Sequence, residues 1–135
     1  MRGVCLAPVV QSTRTVNPKA EELKARTKRF ALDVIGFIRS LPRVPAADIV
    51  GRQLLKSATG VAANYRSACR SRSHAEFAAR IGVVLEEADE SEFWLELLAE
   101  SGLSTAPIVA TLQDESRQLR AIFAASSLTA RHSGP

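Results

Sequence analysis

The sequence predicts an all-α protein, an antiparallel up-down-up-down four-helix bundle. Three observations carry this. Apolar residues recur at three- and four-residue intervals through most of the chain, no segment alternates with the two-residue period of a strand, and only a few residues separate the candidate helices. Connections that short force consecutive helices to lie antiparallel. The 135 residues are 46% apolar, enough for one compact domain that buries a core without disulfide or metal staples.

Residues 1–16 mix Gly, Pro, Ser, Thr and short apolar pieces without period, and are expected to form a mobile N-terminal segment. The bundle is placed at 17–128. The last residues, 129–135, "TARHSGP", are expected to be a mobile C-terminal tail. The first helix opens with Asn17 as its N-cap and Pro18 in its first turn. Its apolar positions are Leu23, Phe30, Val34, Phe37 and Leu41, with Thr27 filling the remaining slot. "LPRVPAA" stops it. The second helix is expected from about Asp48 to Arg70, with Leu54, Ala58, Val61, Tyr65 and Cys69 toward the core. The third opens at "SHAE", where Ser73 and Glu76 have capping-box spacing. Phe77, Ile81, Val84, Ala88, Ser91, Leu95 and Leu98 then follow in strict three-four alternation, the pattern of a seam laid along neighbours at a shallow angle. Gly102 ends that helix. The fourth is expected to begin near Ser104 or Thr105 and to turn Ile108, Leu112, Leu119 and Ile122 inward.

Charge is distributed unevenly. The net charge is +4, but residues 1–80 carry +10 and residues 81–135 carry −6. At about 100° per residue, Arg52, Lys56, Thr59, Ala63, Arg66 and Arg70 fall on one line along the second helix. Such a run reads either as a solvated face or as a phosphate-contacting surface. Continuity favours the second: Arg72 and Arg80 follow, and the first helix adds "KARTKR". No aromatic side chain interleaves to stack bases, so base-specific readout is not expected. A third stripe of small polar residues, Gln53, Ser57, Gly60, Asn64 and Ser71, reads as a packing surface. On the third helix Val83, Phe93, Trp94 and Leu97 lie about 100° or more from the core seam, among Glu86, Glu87, Asp89, Glu90, Glu96 and Glu100. Apolar residues on two faces imply two partners.

Several chemistries lack their residues. Cys5 and Cys69 have no CxxC partner and no histidine at ligand spacing, so neither a zinc site nor a disulfide framework is indicated. A di-iron bundle needs Glu-x-x-His pairs, but His74 stands at a helix start and His132 in the tail, and neither follows a glutamate by three residues. No glycine-rich loop precedes a helix to cradle phosphate. The expectation is a protein that is not an enzyme and binds no metal or cofactor. "VCLAPVV" is far shorter than the roughly 20 residues that span a bilayer, so a cytoplasmic protein with no membrane partner is expected.

Phe30 before an "LP" stop, then "QLLKSATGVAANYRSACRSRSHAEF", then "VVLEEADESEFWLELL", resembles the bacterial four-helix-bundle proteins related to the 23S ribosomal RNA intervening-sequence protein. The match covers about residues 24–124 and rests on Gln53, Leu54, Ala63, Asn64, Arg72, Ser73, Glu76 and Phe77. "YRSACR" stands where many members carry an acidic-glycine pair, which marks a side branch. The resemblance implies a homopentameric ring. It also implies a relation to the accessory proteins of diversity-generating retroelements, which bind nucleic acid and a reverse transcriptase, and it supplies no assigned activity.

These readings lead to an oligomeric nucleic-acid-binding or scaffold protein, RNA more than DNA, with Arg52, Lys56, Arg66, Arg70 and Arg72 as phosphate contacts. The alternative is a protein-interaction module whose basic stripe docks an acidic partner or a neighbouring subunit. A chain with one positive and one negative half can assemble head to tail and close into a ring. Val83, Phe93, Trp94 and Leu97 would centre that contact, with Ser57, Gly60 and Asn64 as the opposing face.

Overall fold

The computed structural model describes residues 17–132, so the N-terminal segment expected at 1–16 lies outside them. Four helices follow in order: α1 (Pro18–Ile38), α2 (Pro45–Ala68), α3 (His74–Glu100) and α4 (Ile108–His132). Each packs against its chain neighbours, and α1 closes on α4 over a smaller contact, completing the up-down-up-down bundle.

The helix ends have local causes. Asn17 Oδ1 accepts from the backbone N–H groups of Lys19 at 3.0 Å and Ala20 at 3.3 Å, and Pro18 has no N–H to leave unpaired. Ser73 Oγ accepts from Glu76 N–H at 3.1 Å and starts α3 as expected. Gly102 stops α3 at φ +76°, where an L side chain would be strained. Two boundaries differ from the sequence reading. α2 starts at Pro45 rather than about Asp48, because a proline with its fixed φ and no N–H suits the first turn of a helix, so the segment that stops α1 also opens α2. α4 starts at Ile108 rather than near Ser104 or Thr105, because Pro107 disfavours the helical conformation at Ala106, whose N–H bonds Ser104 Oγ at 3.2 Å.

The other end of α4 also differs. Thr129 to His132, assigned to the tail, continue the helix, with Ala130 buried. His74 explains part of this, since its Nε2 meets the Ala130 carbonyl and ties the last turn of α4 to the first turn of α3.

The core is one continuous cluster from all four helices, including Phe30, Val34, Leu54, Val61, Ile81, Leu95, Leu119 and Phe123. Every seam position of α3 from Ile81 to Leu98 is buried as the three-four alternation requires. On α4 the inward register is Val109, Leu112, Ser116, Leu119 and Phe123, while Ile108 is 40% exposed and Ile122 only partly buried. Cys69, expected inward, is exposed at the α2 C-cap, and Ala68 takes the buried position. Buried hydroxyls in the core find partners: Thr27 Oγ1 donates to the Leu23 carbonyl at 2.9 Å, and across α2 and α3 Ser91 Oγ lies 2.9 Å from Ser57 Oγ.

The α1–α4 seam relies on a polar clasp. Arg26 Nε and Nη2 each reach a Glu115 carboxylate oxygen at 2.8 Å, and Nη2 also donates to Gln118 Oε1 at 2.7 Å. That bidentate hydrogen bond raises the Arg26 pKa above its ordinary value.

Candidate nucleic-acid interface

The geometry begins with α2 in its antiparallel register. Arg52, Lys56 and Arg66 stand on its outer side, Arg70 and Arg72 follow in the connection to α3, and all five are exposed. They are not equivalent. Arg52 pairs with Asp48 one turn away at 3.2 Å, and Lys56 lies close enough to Glu87 to favour its ionised form.

Arg66 and Arg70 face α1 across an open groove of about 620 Å³. Lys24 and Lys28 stand on the α1 wall, and Ala62 and Ala63 are among the small residues between. Side chains that small leave the depression open, so that two cations of α1, one of α2 and one of the turn after it line one space. Lys24 is tied to Glu21 at 2.6 Å, whereas Lys28, Arg66 and Arg70 have no ion-pair partner among the described residues. Like charges so placed repel unless an anion or solvent screens them.

The fold also removes cations from this surface. Within "KARTKR", Arg26 is engaged by Glu115 and Arg29 pairs with Asp33 at 3.4 Å. Arg80 turns to Ser67 Oγ, 2.7 Å from its Nη1, and to Glu76. The continuous basic surface read from the sequence is therefore narrower than it looked. Its centre is the α1–α2 groove, which the linear stripe could not reveal because Lys24 and Lys28 meet Arg66 and Arg70 only through the pairing of α1 with α2.

The small polar stripe has a different position from the one expected at a subunit contact. Ser57 is 1% exposed and bonded to Ser91, so no neighbouring copy can reach it. Gly60 lies under the Glu87 side chain, and Asn64 Nδ2 donates to the Gly60 carbonyl at 2.8 Å. Ser57 and Gly60 pack α2 on α3 within one chain, because only small residues admit so close an approach. Glu87 bears the electrostatic consequence: burial, then Glu90, holds its pKa above the ordinary 4.5 against the opposing pull of Lys56.

The second apolar face of α3 is open. Val83, Phe93 and Leu97 are 41%, 49% and 36% exposed, and Trp94 is half-buried with its ring edge-on to Phe93 at 4.9 Å. The α2–α3 register set by Ser57–Ser91 and Gly60–Glu87 brings Ile49, itself well exposed, near the level of Leu97. Beside this ridge Arg120 Nε donates to Glu92 Oε1 at 2.6 Å, which raises the Arg120 pKa above its ordinary value.

The described residues contain no group of three or more His, Cys, Asp or Glu side chains placed to hold a metal ion, and no helix among them is long and apolar enough to cross a membrane.

The sequence profile of the 23S rRNA-intervening sequence proteins matches residues 20–125, nearly the whole described bundle. The chain belongs to that family. A solved structure from Bacteroides thetaiotaomicron, described as a protein of unknown function from the S23 ribosomal protein family, is similar at 26% identity with a TM-score of 0.71. The similarity covers 77% of this chain and 96% of the other, so the four-helix body is shared almost end to end. No curated protein matches.

Proposed function

We propose that this member of the 23S rRNA-intervening sequence protein family is a non-enzymatic, cytoplasmic RNA-associated protein that holds the phosphate backbone on its α1–α2 side. The observation that carries the reading is the convergence of Lys24, Lys28, Arg66 and Arg70 on one groove. Arg52, Lys56 and Arg72 extend the same field along and beyond α2. Such contacts gain affinity by releasing condensed counterions and are indifferent to base sequence. Filter binding of a structured RNA across a salt series tests this. Affinity should fall steeply as salt rises, and affinity that is absent at low salt or insensitive to salt would exclude phosphate contact. Charge reversal in Arg66→Glu/Arg70→Glu should abolish binding while leaving helicity and assembly unchanged; loss of the oligomer instead would make the stripe a protein interface.

A second reading concerns assembly, and the exposed ridge of Val83, Phe93 and Leu97 favours it. The ridge lies on the acidic half of the chain and complements the basic half of another copy, an arrangement that closes into a cyclic homo-oligomer, with five subunits as the family resemblance implies. The opposing face must differ from Ser57 and Gly60, which are engaged within the chain. A monodisperse monomer at micromolar concentration in light scattering would remove the ring.

A further inference from the structure

We infer that the α1–α2 groove is a track for a single polynucleotide strand and that it discriminates against duplex; this rests on the phosphate-binding reading above. The shape of the site carries the inference. The groove lies between two packed helices, whose axes are typically about 8–10 Å apart. An extended single strand fits a depression of that width, whereas a duplex is much wider and can touch only its rims. The cations lie within the groove as well as along one crest: Lys24 and Lys28 are on one wall, where Glu21 lines the end beside Lys24, and Arg66 and Arg70 are on the other, so the excess charge of the lining is positive. Lys24 and Lys28 are four residues apart, about 6 Å along α1, while Arg66 stands in the last turn of α2 and Arg70 in the turn that follows it. A strand lying between the walls can therefore place successive phosphates between opposed cations, while a duplex resting across the rims meets one wall at a time.

The lining also selects the class of polyanion. An acidic peptide in the groove would bring backbone N–H and C=O groups that need partners. The walls are helices whose backbone groups are already paired, and the Ala62 and Ala63 side chains offer no hydrogen bond. Thr59 Oγ1 already donates to the Leu55 carbonyl at 2.7 Å. A polynucleotide makes no such backbone demand, since its charge lies on the phosphates and its bases can face solvent. No aromatic residue lines the groove, so the site reads neither base identity nor stacking.

The experiment is fluorescence anisotropy on the full chain with three probes of equal length: an oligouridine, a fully paired RNA duplex and polyglutamate. The oligouridine should bind at least about tenfold more tightly than the duplex. With up to four phosphates engaged, the slope of log K against log salt should be about −2 to −3 per chain. Lys28→Gln/Arg66→Gln/Arg70→Gln should remove the preference, with helicity by circular dichroism confirming the fold. Arg29→Gln, a charge loss outside the groove, should preserve it. Equal or tighter duplex binding would overturn the single-strand inference and leave phosphate binding standing, whereas failure of both RNA probes would overturn both. Polyglutamate binding as tightly as oligouridine would overturn the ligand class, and an unchanged preference in the triple variant would overturn the location.

Discussion

Gly60 under Glu87 gives a prediction whose magnitude follows from the geometry. At a solvent-facing helix position Gly→Ala stabilises by about 1 kcal/mol, because alanine has less backbone freedom to lose. At Gly60 an added Cβ would lie 1.9 Å from Glu87 Oε2, 2.7 Å from its Cδ and 3.3 Å from its Cγ. These atoms are the outer part of a flexible side chain, so Glu87 can rotate out and the helices need not separate. Rotation relieves the carboxylate's desolvation but gives up the attraction of Lys56 and the packing of two half-covered methylenes. At about 0.8 kcal/mol per fully buried methylene, that packing is worth about 0.8 kcal/mol. Gain and loss nearly cancel, so Gly60→Ala should lie within about 0.5 kcal/mol of wild type. In a Glu87→Ala background the obstruction is gone and the same change should stabilise by about 1 kcal/mol. The coupling between the two positions is then about 0.5–1.5 kcal/mol. Urea unfolding of wild type, both single variants and the double variant, followed by far-UV circular dichroism, measures it. Additivity within about 0.3 kcal/mol would refute the close packing of Glu87 on Gly60.

Three further outcomes follow from the same structure. Because burial and Glu90 raise the Glu87 pKa, its proton favours the folded state; that contribution is complete below the ordinary 4.5 and is lost as pH rises through the raised value. Glu87→Gln should therefore be more stable than wild type near neutral pH, with the difference vanishing in acid, and urea midpoints across a pH series check this. Arg26→Ala should cost about 1–2 kcal/mol, a bidentate charged pair discounted for partial exposure, and Arg26→Lys should recover less than half of it in the same assay. If the α3 ridge centres a subunit contact, Phe93→Ser and Trp94→Ala should both lower the assembled mass in light scattering, and unchanged mass in both would place the contact elsewhere.

Much of this protein could be read along the chain because a helix is a local structure. The Asn17 and Ser73 caps, the Gly102 stop and the α3 seam all depend on residues within a few positions of one another, so spacing alone determined them. Four helices with short connections then left one economical topology. Local reading failed where two local signals competed. Pro45 and Pro107 could each end one element or shape the start of the next, and Ile108 competed with Val109 for the inward register, a choice that packing against the other helices decides.

What tertiary structure alone decided is which charges are available. The sequence placed Arg52, Lys56, Arg66, Arg70 and Arg72 on one side but could not show that Arg26 and Arg80 would be engaged by Glu115 and Ser67. Nor could it show that Lys24 and Lys28 would stand across a groove from Arg66 and Arg70, or that Ser57 and Gly60 would be enclosed against α3. Partners such as Arg26 and Glu115 lie 89 positions apart along the chain. Electrostatic interactions depend on distance through space, and those distances are set only when apolar seams from all four helices fix which faces meet.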